Sequence, residues 1–169
     1  MPSPTAPVVT VNVQEQWPPA CPQAKIAPSH WKTWIRIWLA TLQRDLPSAE
    51  AYELSLCLTD DRDMQSLNAQ YRGQDVPTDV LAFAALEVDV PQIFPQQAAE
   101  PLYLGDIVIS VETAWQQAQQ QEHALQVELA WLTAHGLLHL LGWDHPDENS
   151  LAAMLSQQET LLQQVSLCV

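Results

Sequence analysis

One run of eleven residues limits the folds open to this chain more than any other: His135-Gly136-Leu137-Leu138-His139-Leu140-Leu141-Gly142-Trp143-Asp144-His145. Two imidazoles four residues apart on a helix project from one face, because about 3.6 residues complete a turn. Gly142 can adopt the left-handed conformation that ends such a helix. The chain can then reverse and bring His145 to the same point in space. Three neutral nitrogen ligands with a fourth position open is the arrangement of a catalytic zinc, whereas a structural zinc is usually closed by four protein ligands, often cysteines. The competing reading is of core or surface histidines that happen to be neighbours. It suits a single histidine better than three of the chain's five, set in an otherwise apolar helix. The run therefore predicts one Zn2+ per chain, held by His135, His139 and His145. Three imidazoles also accept nickel or copper, although ligand type and geometry favour zinc.

With 169 residues, the chain is expected to form a single domain over 1–169, large enough for one core, with residues 1–7 flexible. A hydrophobic fraction of 47% and seven tryptophans support a folded interior. No stretch approaches the ~18 consecutive apolar residues of a membrane span, so no membrane partner is expected. The start, Met1-Pro2-Ser3-Pro4-Thr5, has neither a basic patch nor an apolar run, and no secretory signal is expected. Cys21, Cys57 and Cys168 are odd in number and far apart. They read as reduced thiols of a cytoplasmic protein rather than a disulfide frame.

The net charge is −14, and the basic residues, Lys25, Lys32, Arg36, Arg44, Arg62 and Arg72, all precede residue 73. A chain that grips nucleic acid unaided usually carries a basic stripe. This one does not. Any nucleic-acid substrate must be held by few contacts, with help from the metal or from a partner.

Hydrophobic periodicity sets out the elements. Residues 8–13 alternate as a first strand, and Pro18, Pro19, Pro22 and Pro28 predict a loop. Ser29 can cap a helix running to about Leu46, stopped by Pro47. On it Trp31, Trp34, Ile35, Trp38, Leu39 and Leu42 share one face. That stripe can be read as a stacking or membrane surface, but a sheet needs one such helix laid across it, and the core reading is favoured. Residues 52–58 alternate as a second strand, and Asp60 or Asp61 opens a helix through Met64, Leu67 and Tyr71. Gly73 to Thr78 is a loop, Val80 to Ala84 a third strand, and Leu104 to Val111 a fourth. A variable loop with Pro91, Pro95 and Pro101 separates the last two. Helices over roughly 112–121, 124–141 and 147–166 finish the chain. The order predicts an α/β (α+β) fold: a mixed four-stranded sheet with helices packed on it, and the zinc site on a C-terminal helix. Gly73, Gly105, Gly136 and Gly142 are the chain's four glycines. A chain this poor in glycine is expected to keep it where a side chain would obstruct a turn or a close approach.

His135-Gly136-x-x-His139-Leu140-x-Gly142-x-Asp144-His145 resembles the signature of the YbeY endoribonucleases, bacterial rRNA maturation factors. Leu67-Asn68-x-x-Tyr71-Arg72-Gly73 with Thr78-Asp79-Val80-Leu81-x-Phe83 resembles the family's central block. Leu104-Gly105-Asp106-Ile107-Val108-Ile109-Ser110 resembles its fourth-strand block. Together these span residues 67 to 145, while the first 50 residues and the loop 87–103 carry no specific match. Where the family usually has Ser-Phe-Pro, this chain has Ala82-Phe83-Ala84. The departure touches neither the histidines nor Arg72. The resemblance implies a zinc-dependent endoribonuclease acting on single-stranded RNA, in maturing the 3′ end of small-subunit rRNA and in ribosome quality control. It implies zinc ligation by His135, His139 and His145, and a functionally important Arg72. It also implies rRNA as the substrate, and the acidic surface adds the expectation that the small ribosomal subunit or an assembly protein supplies the missing affinity.

The chemistry is consistent with that expectation. A zinc with one open position can bring the pKa of its water to ~7 and polarise a phosphoryl oxygen. A guanidinium suits the charge that builds on the non-bridging oxygens, a role open to Arg72 if its loop faces the zinc; otherwise Arg72 pairs with a surface carboxylate. Asp144 is a candidate to orient a histidine, to act as a base, or to cap the turn. Thr78 and Asp79 serve equally as site groups or as a turn and strand start. Trp143 suits base stacking and packing about equally, and His30 and His123 read as ordinary surface histidines. Two rival functions remain. A metalloprotease would carry its glutamate directly after the first histidine, where this chain has Gly136. A non-catalytic ribosome-assembly factor with a structural metal would fit the poor basicity.

Overall fold

A computed structural model of the chain describes residues 6–24, 26–85 and 100–167. Strands β1 (Val8–Glu15), β2 (Ala51–Thr59), β3 (Val80–Ala84) and β4 (Leu102–Ser110) are interleaved with helices α1 (Pro28–Thr41) and α2 (Asp61–Arg72). Helices α3 (Val111–Gln120), α4 (Leu125–Leu140) and α5 (Glu148–Gln164) follow. The strands form one mixed sheet in the order β1-β2-β4-β3, with β1, β2 and β4 parallel and β3 antiparallel to β4. The expected fold class is therefore the observed one. Residues 1–5 of the segment expected to be flexible, and Pro91 and Pro95 of the variable loop, lie outside the described residues.

Alternation on β2 shows how the sheet is used. Tyr52, Leu54, Leu56 and Leu58 are buried on one face, while Glu53, Ser55 and Cys57 turn to the other. The first face meets α1, α4 and α5 in the main core; the second is covered in part by α2 through Met64 and Leu67 against Leu81, Val108 and Cys57. The tryptophan stripe of α1 belongs to the main core. Trp31 and Trp34 meet edge to face at 5.2 Å, and the Trp38 Nε1–H donates to the Leu161 carbonyl of α5 at 2.8 Å. Such geometry is the preferred one for aromatic pairs.

Helix α1 departs from expectation at both ends. It begins at Pro28 with Ala27 as N-cap, not at Ser29. Proline suits the first helical position, where its missing N–H would have had no partner in any case. The Ala27 N–H is instead taken by His30 Nδ1 at 3.3 Å. At the other end the α-helix stops at Thr41, and residues 43–45 tighten into a 3-10 turn. Pro47 holds Leu46 in an extended conformation, so the helix cannot continue to it.

Helix α4 is apolar almost all round, and eleven of its sixteen residues are buried. Such a helix belongs inside a fold. It lies against β4 and the edge strand β3, and Gly136 makes this close approach possible. A Cβ on Gly136 would lie 2.8 Å from Ile107 Cγ2, inside contact distance of a core residue with no solvent exposure. Gly136→Val would force the helix off the sheet, and overpacking of this kind costs about 1–3 kcal/mol. We expect its thermal midpoint to fall by several degrees, roughly 2–4 °C per kcal/mol for a chain of this size. An unchanged midpoint in a calorimetric melt would show that the interface is loosely packed.

Candidate metal centre

His135 and His139 occupy the one side of α4 that the core does not cover, and both are half-buried. The helix then ends as a Schellman motif: the Trp143 N–H donates to the Leu138 carbonyl and the Gly142 N–H to that of His139, both at 3.0 Å. Gly142 takes φ +94°, a conformation that side chains disfavour. This turn folds residues 143–145 back over the helix end, and the Asp144 carboxylate stiffens it by accepting the His145 N–H at 2.8 Å.

The three rings converge. Their centroids are 4.6 Å (His135–His139), 5.3 Å (His139–His145) and 5.5 Å (His135–His145) apart. One nitrogen from each lies within 4.8 Å of the others, a group that can hold a metal ion. The nitrogens Nε2 of His135 and His139 face each other at 3.0 Å. Ligands ~2.0–2.1 Å from a tetrahedral zinc are roughly 3.3 Å apart, so this pair is already near chelating distance.

The tautomer of His135 follows from Gln158, a fully buried residue of α5. The Gln158 amide nitrogen donates to the Trp131 carbonyl at 3.4 Å, which turns Oε1 toward His135 Nδ1 at 3.0 Å. An acceptor there requires the proton on Nδ1, leaving the Nε2 lone pair aimed into the cluster. Burial holds the His139 pKa below its ordinary value, reinforced by His135 and His145, while a hydrogen bond with the Trp143 backbone and the charge of Asp144 oppose it. Its ring is thus kept neutral, as a ligand must be. The donor set fits a divalent cation of the zinc type.

Facing the histidines across a cleft of about 770 Å3 are Tyr71 and Arg72, at the C-terminal end of α2, with the edge strand β3 along the cleft. Asn68 anchors the following loop by donating to the Val76 carbonyl at 2.8 Å. Arg72 is exposed, and among the described residues no carboxylate lies within ion-pair distance of it. Among these residues the surface-pairing alternative finds no partner for it. Asp79 also borders the cleft, but its carboxylate is engaged by the Val80 N–H at 2.7 Å and by Gln117 Nε2 at 3.3 Å. Asp79 and Asp144 thus serve their turns. Trp143 lines the cleft while packing on the core, so both of its expected roles are geometrically open. Ala82 and Ala84, where the resemblance departs, sit on β3 beside the cleft and away from Arg72's helix.

His123 is not the ordinary surface histidine expected. Its Nε2 lies 2.6 Å from the carboxylate of Glu128, and both side chains are largely shielded from solvent. Burial pushes the Glu128 carboxyl up from its ordinary value, the hydrogen bond and charge of His123 oppose this, and nearby Asp79 adds to it. Sequence spacing gave no reason to pair residues across the turn between α3 and α4. Gln158 also went unnoticed. Its signal was a polar residue on the buried side of α5, between Met154 and Leu161.

A family model described as Endoribonuclease YbeY matches residues 20–166. An endoribonuclease YbeY of Nostoc sp. is 62% identical over 144 residues, 85% of this chain and 78% of the relative. Another, of Trichormus variabilis, is 55% identical over 168 residues, covering 94% of this chain and 95% of that one. Among solved structures, a Thermotoga maritima protein has a similar fold, with a TM-score of 0.57 at 21% identity. That likeness covers 92% of this chain and 89% of the other.

Gln158→Leu keeps the volume and burial of the side chain but removes the acceptor that orients His135. Loss of such an outer partner typically weakens metal binding about 10–100-fold. Competition between the folded variant and a chromogenic chelator for Zn2+ measures this. An affinity equal to that of the parent would mean that His135 is oriented without Gln158.

Proposed function

The chain belongs to the endoribonuclease YbeY family, and on that premise we propose that it is a zinc-dependent endoribonuclease hydrolysing single-stranded RNA. The observation that carries this reading is the three-imidazole cluster facing, across one cleft, a guanidinium with no ion-pair partner among the described residues. His135, His139 and His145 hold one Zn2+ per chain, and Gln158 keeps the first of them in the ligating tautomer. When bound, the ion would supply Lewis acidity toward a phosphoryl oxygen and lower the pKa of a bound water to ~7. Arg72 grips the non-bridging oxygens of the scissile phosphodiester, with two parallel N–H donors and a charge that offsets the one building there. Water adds to phosphorus, one P–O ester bond breaks, and a phosphomonoester and a hydroxyl end result.

The whole chain, residues 1–169, acts as one domain in this reading, in the cytoplasm, where its thiols stay reduced. No helix among the described residues is long and apolar enough to cross a membrane. The RNA is rRNA, and the work is late maturation of the small-subunit 3′ end together with ribosome quality control. The net charge of −14 repels free RNA, so the small ribosomal subunit or an assembly protein supplies the affinity that the chain lacks.

A metalloprotease is disfavoured by packing as well as by sequence. Position 136 faces Ile107 with no room for a side chain, so a glutamate there would disrupt the core before it reached the cluster. The remaining rival, a metal that only staples the fold, makes a different forecast for the same variant. On the nuclease reading His139→Ala loses RNA cleavage by more than about 100-fold with its melting curve largely kept; on the staple reading it unfolds. Arg72→Glu should lower cleavage about 10²–10³-fold, the scale of one lost transition-state donor, with zinc content unchanged. Cleavage of a single-stranded oligoribonucleotide by Arg72→Glu at the parental rate would reject the assignment.

A further inference from the structure

Next to the metal cleft lies a second cavity of about 440 Å3, on the sheet face that α2 covers only in part. Tyr71 and Phe83 line both spaces, so the two adjoin. Strand register builds the floor. Ser55 of β2 pairs with Asp106 of β4, and Asp106 pairs with Phe83 of β3, which sets the three side chains in one row on one face. Tyr71 leans over the end of this row, its ring 5.1 Å from that of Phe83 at 66° and 60% exposed.

The floor carries the Asp106 carboxylate, an acceptor, beside the Ser55 hydroxyl, with the Gln14 amide on the cavity wall. The single phenolic proton of Tyr103 goes to Asp106 Oδ1 at 2.6 Å, and Ser55 Oγ lies 3.0 Å from the same phenol. The other carboxylate oxygen of Asp106 has no protein donor among the described residues. An aromatic wall above a free carboxylate oxygen is complementary to a flat ring that carries an amino group. The wider charge distribution points the same way. Residues 73–169 contain no lysine or arginine, and Arg72 is the cation lining the cleft. Beyond one phosphate, then, RNA must be held by its bases. Stacking on an aromatic ring supplies such affinity without any charge.

We propose that this second cavity is a nucleobase subsite, which takes one unpaired base adjacent to the phosphate held in the metal cleft. The inference rests on the endoribonuclease reading. The base stacks on Tyr71 and donates its exocyclic amino group to Asp106, so cytosine, adenine and guanine are preferred over uracil. In a duplex the same edge is engaged in pairing and the ring is stacked, so double-stranded RNA is refused.

The test uses the full chain, metal-free so that no cleavage intervenes. Binding of labelled single-stranded oligouridylates is compared with that of the same oligomers carrying one cytidine, which differs from uridine in size hardly at all. We expect the cytidine to tighten binding about fivefold. Tyr71→Ala should weaken binding about tenfold, and Tyr71→Phe should restore it. Asp106→Asn, which replaces the free acceptor by a donor while keeping an oxygen for Tyr103, should abolish or reverse the cytidine preference. Equal binding of both oligomers by the parent chain, or no change in preference in Asp106→Asn, would overturn the subsite. All three variants are checked for a parental melting curve, and Tyr71 is exposed enough for its replacement to spare the fold. Because metal-free binding is the readout, a chain that binds with the expected preference but cuts no RNA would refute the nuclease reading and leave the subsite standing.

Discussion

The close seat of α4 on the sheet is the constraint from which the rest of the site follows. Gly136 lets the helix backbone approach Ile107, and the apolar residues around α4 bury it on nearly every side. That burial leaves His135 and His139 looking past the edge strand β3 toward the end of α2. Had the helix stood further from the sheet, the distance between histidines and guanidinium would be set by surface side chains rather than by the core. Rigid elements on both sides hold the two halves of the cleft at a fixed separation, which catalysis by positioned groups demands.

The cluster itself is balanced to receive positive charge. Gln158 directs the His135 lone pair inward from its outer side, and burial together with the neighbouring imidazoles lowers the His139 pKa. The nitrogens Nε2 of His135 and His139 lie 3.0 Å apart, a spacing suited to two ligands of one cation.

Electrostatics explain why the protein does not resemble a general RNA-binding domain. An acidic surface repels polyanions at distances up to the Debye length, about 8 Å at physiological ionic strength. A single exposed arginine at the cleft then acts as a local exception. On the proposed reading, such a chain meets RNA productively only where a base is gripped or a larger assembly brings the strand in, which selects for unpaired segments already held in place.

Much was legible beforehand because it depends on local spacing. Helical period and the Gly142 turn were enough to bring His135, His139 and His145 together, and alternation in residues 52–58 was enough to orient β2. The ends of α1 were less legible: Pro28 opens the helix rather than lying in a loop, and the α-helix stops at Thr41 with a 3-10 turn filling the gap before Pro47. Other features were decided only by the tertiary structure. His135 met Gln158 across 23 residues because α4 and α5 pack there. That Arg72 faces the histidines, and that Ser55, Asp106 and Phe83 form one row, depends on strand order and register. Spacing along a chain specifies which groups share a face of one element. Which faces meet is settled by how the whole core closes, and no single segment carries that information.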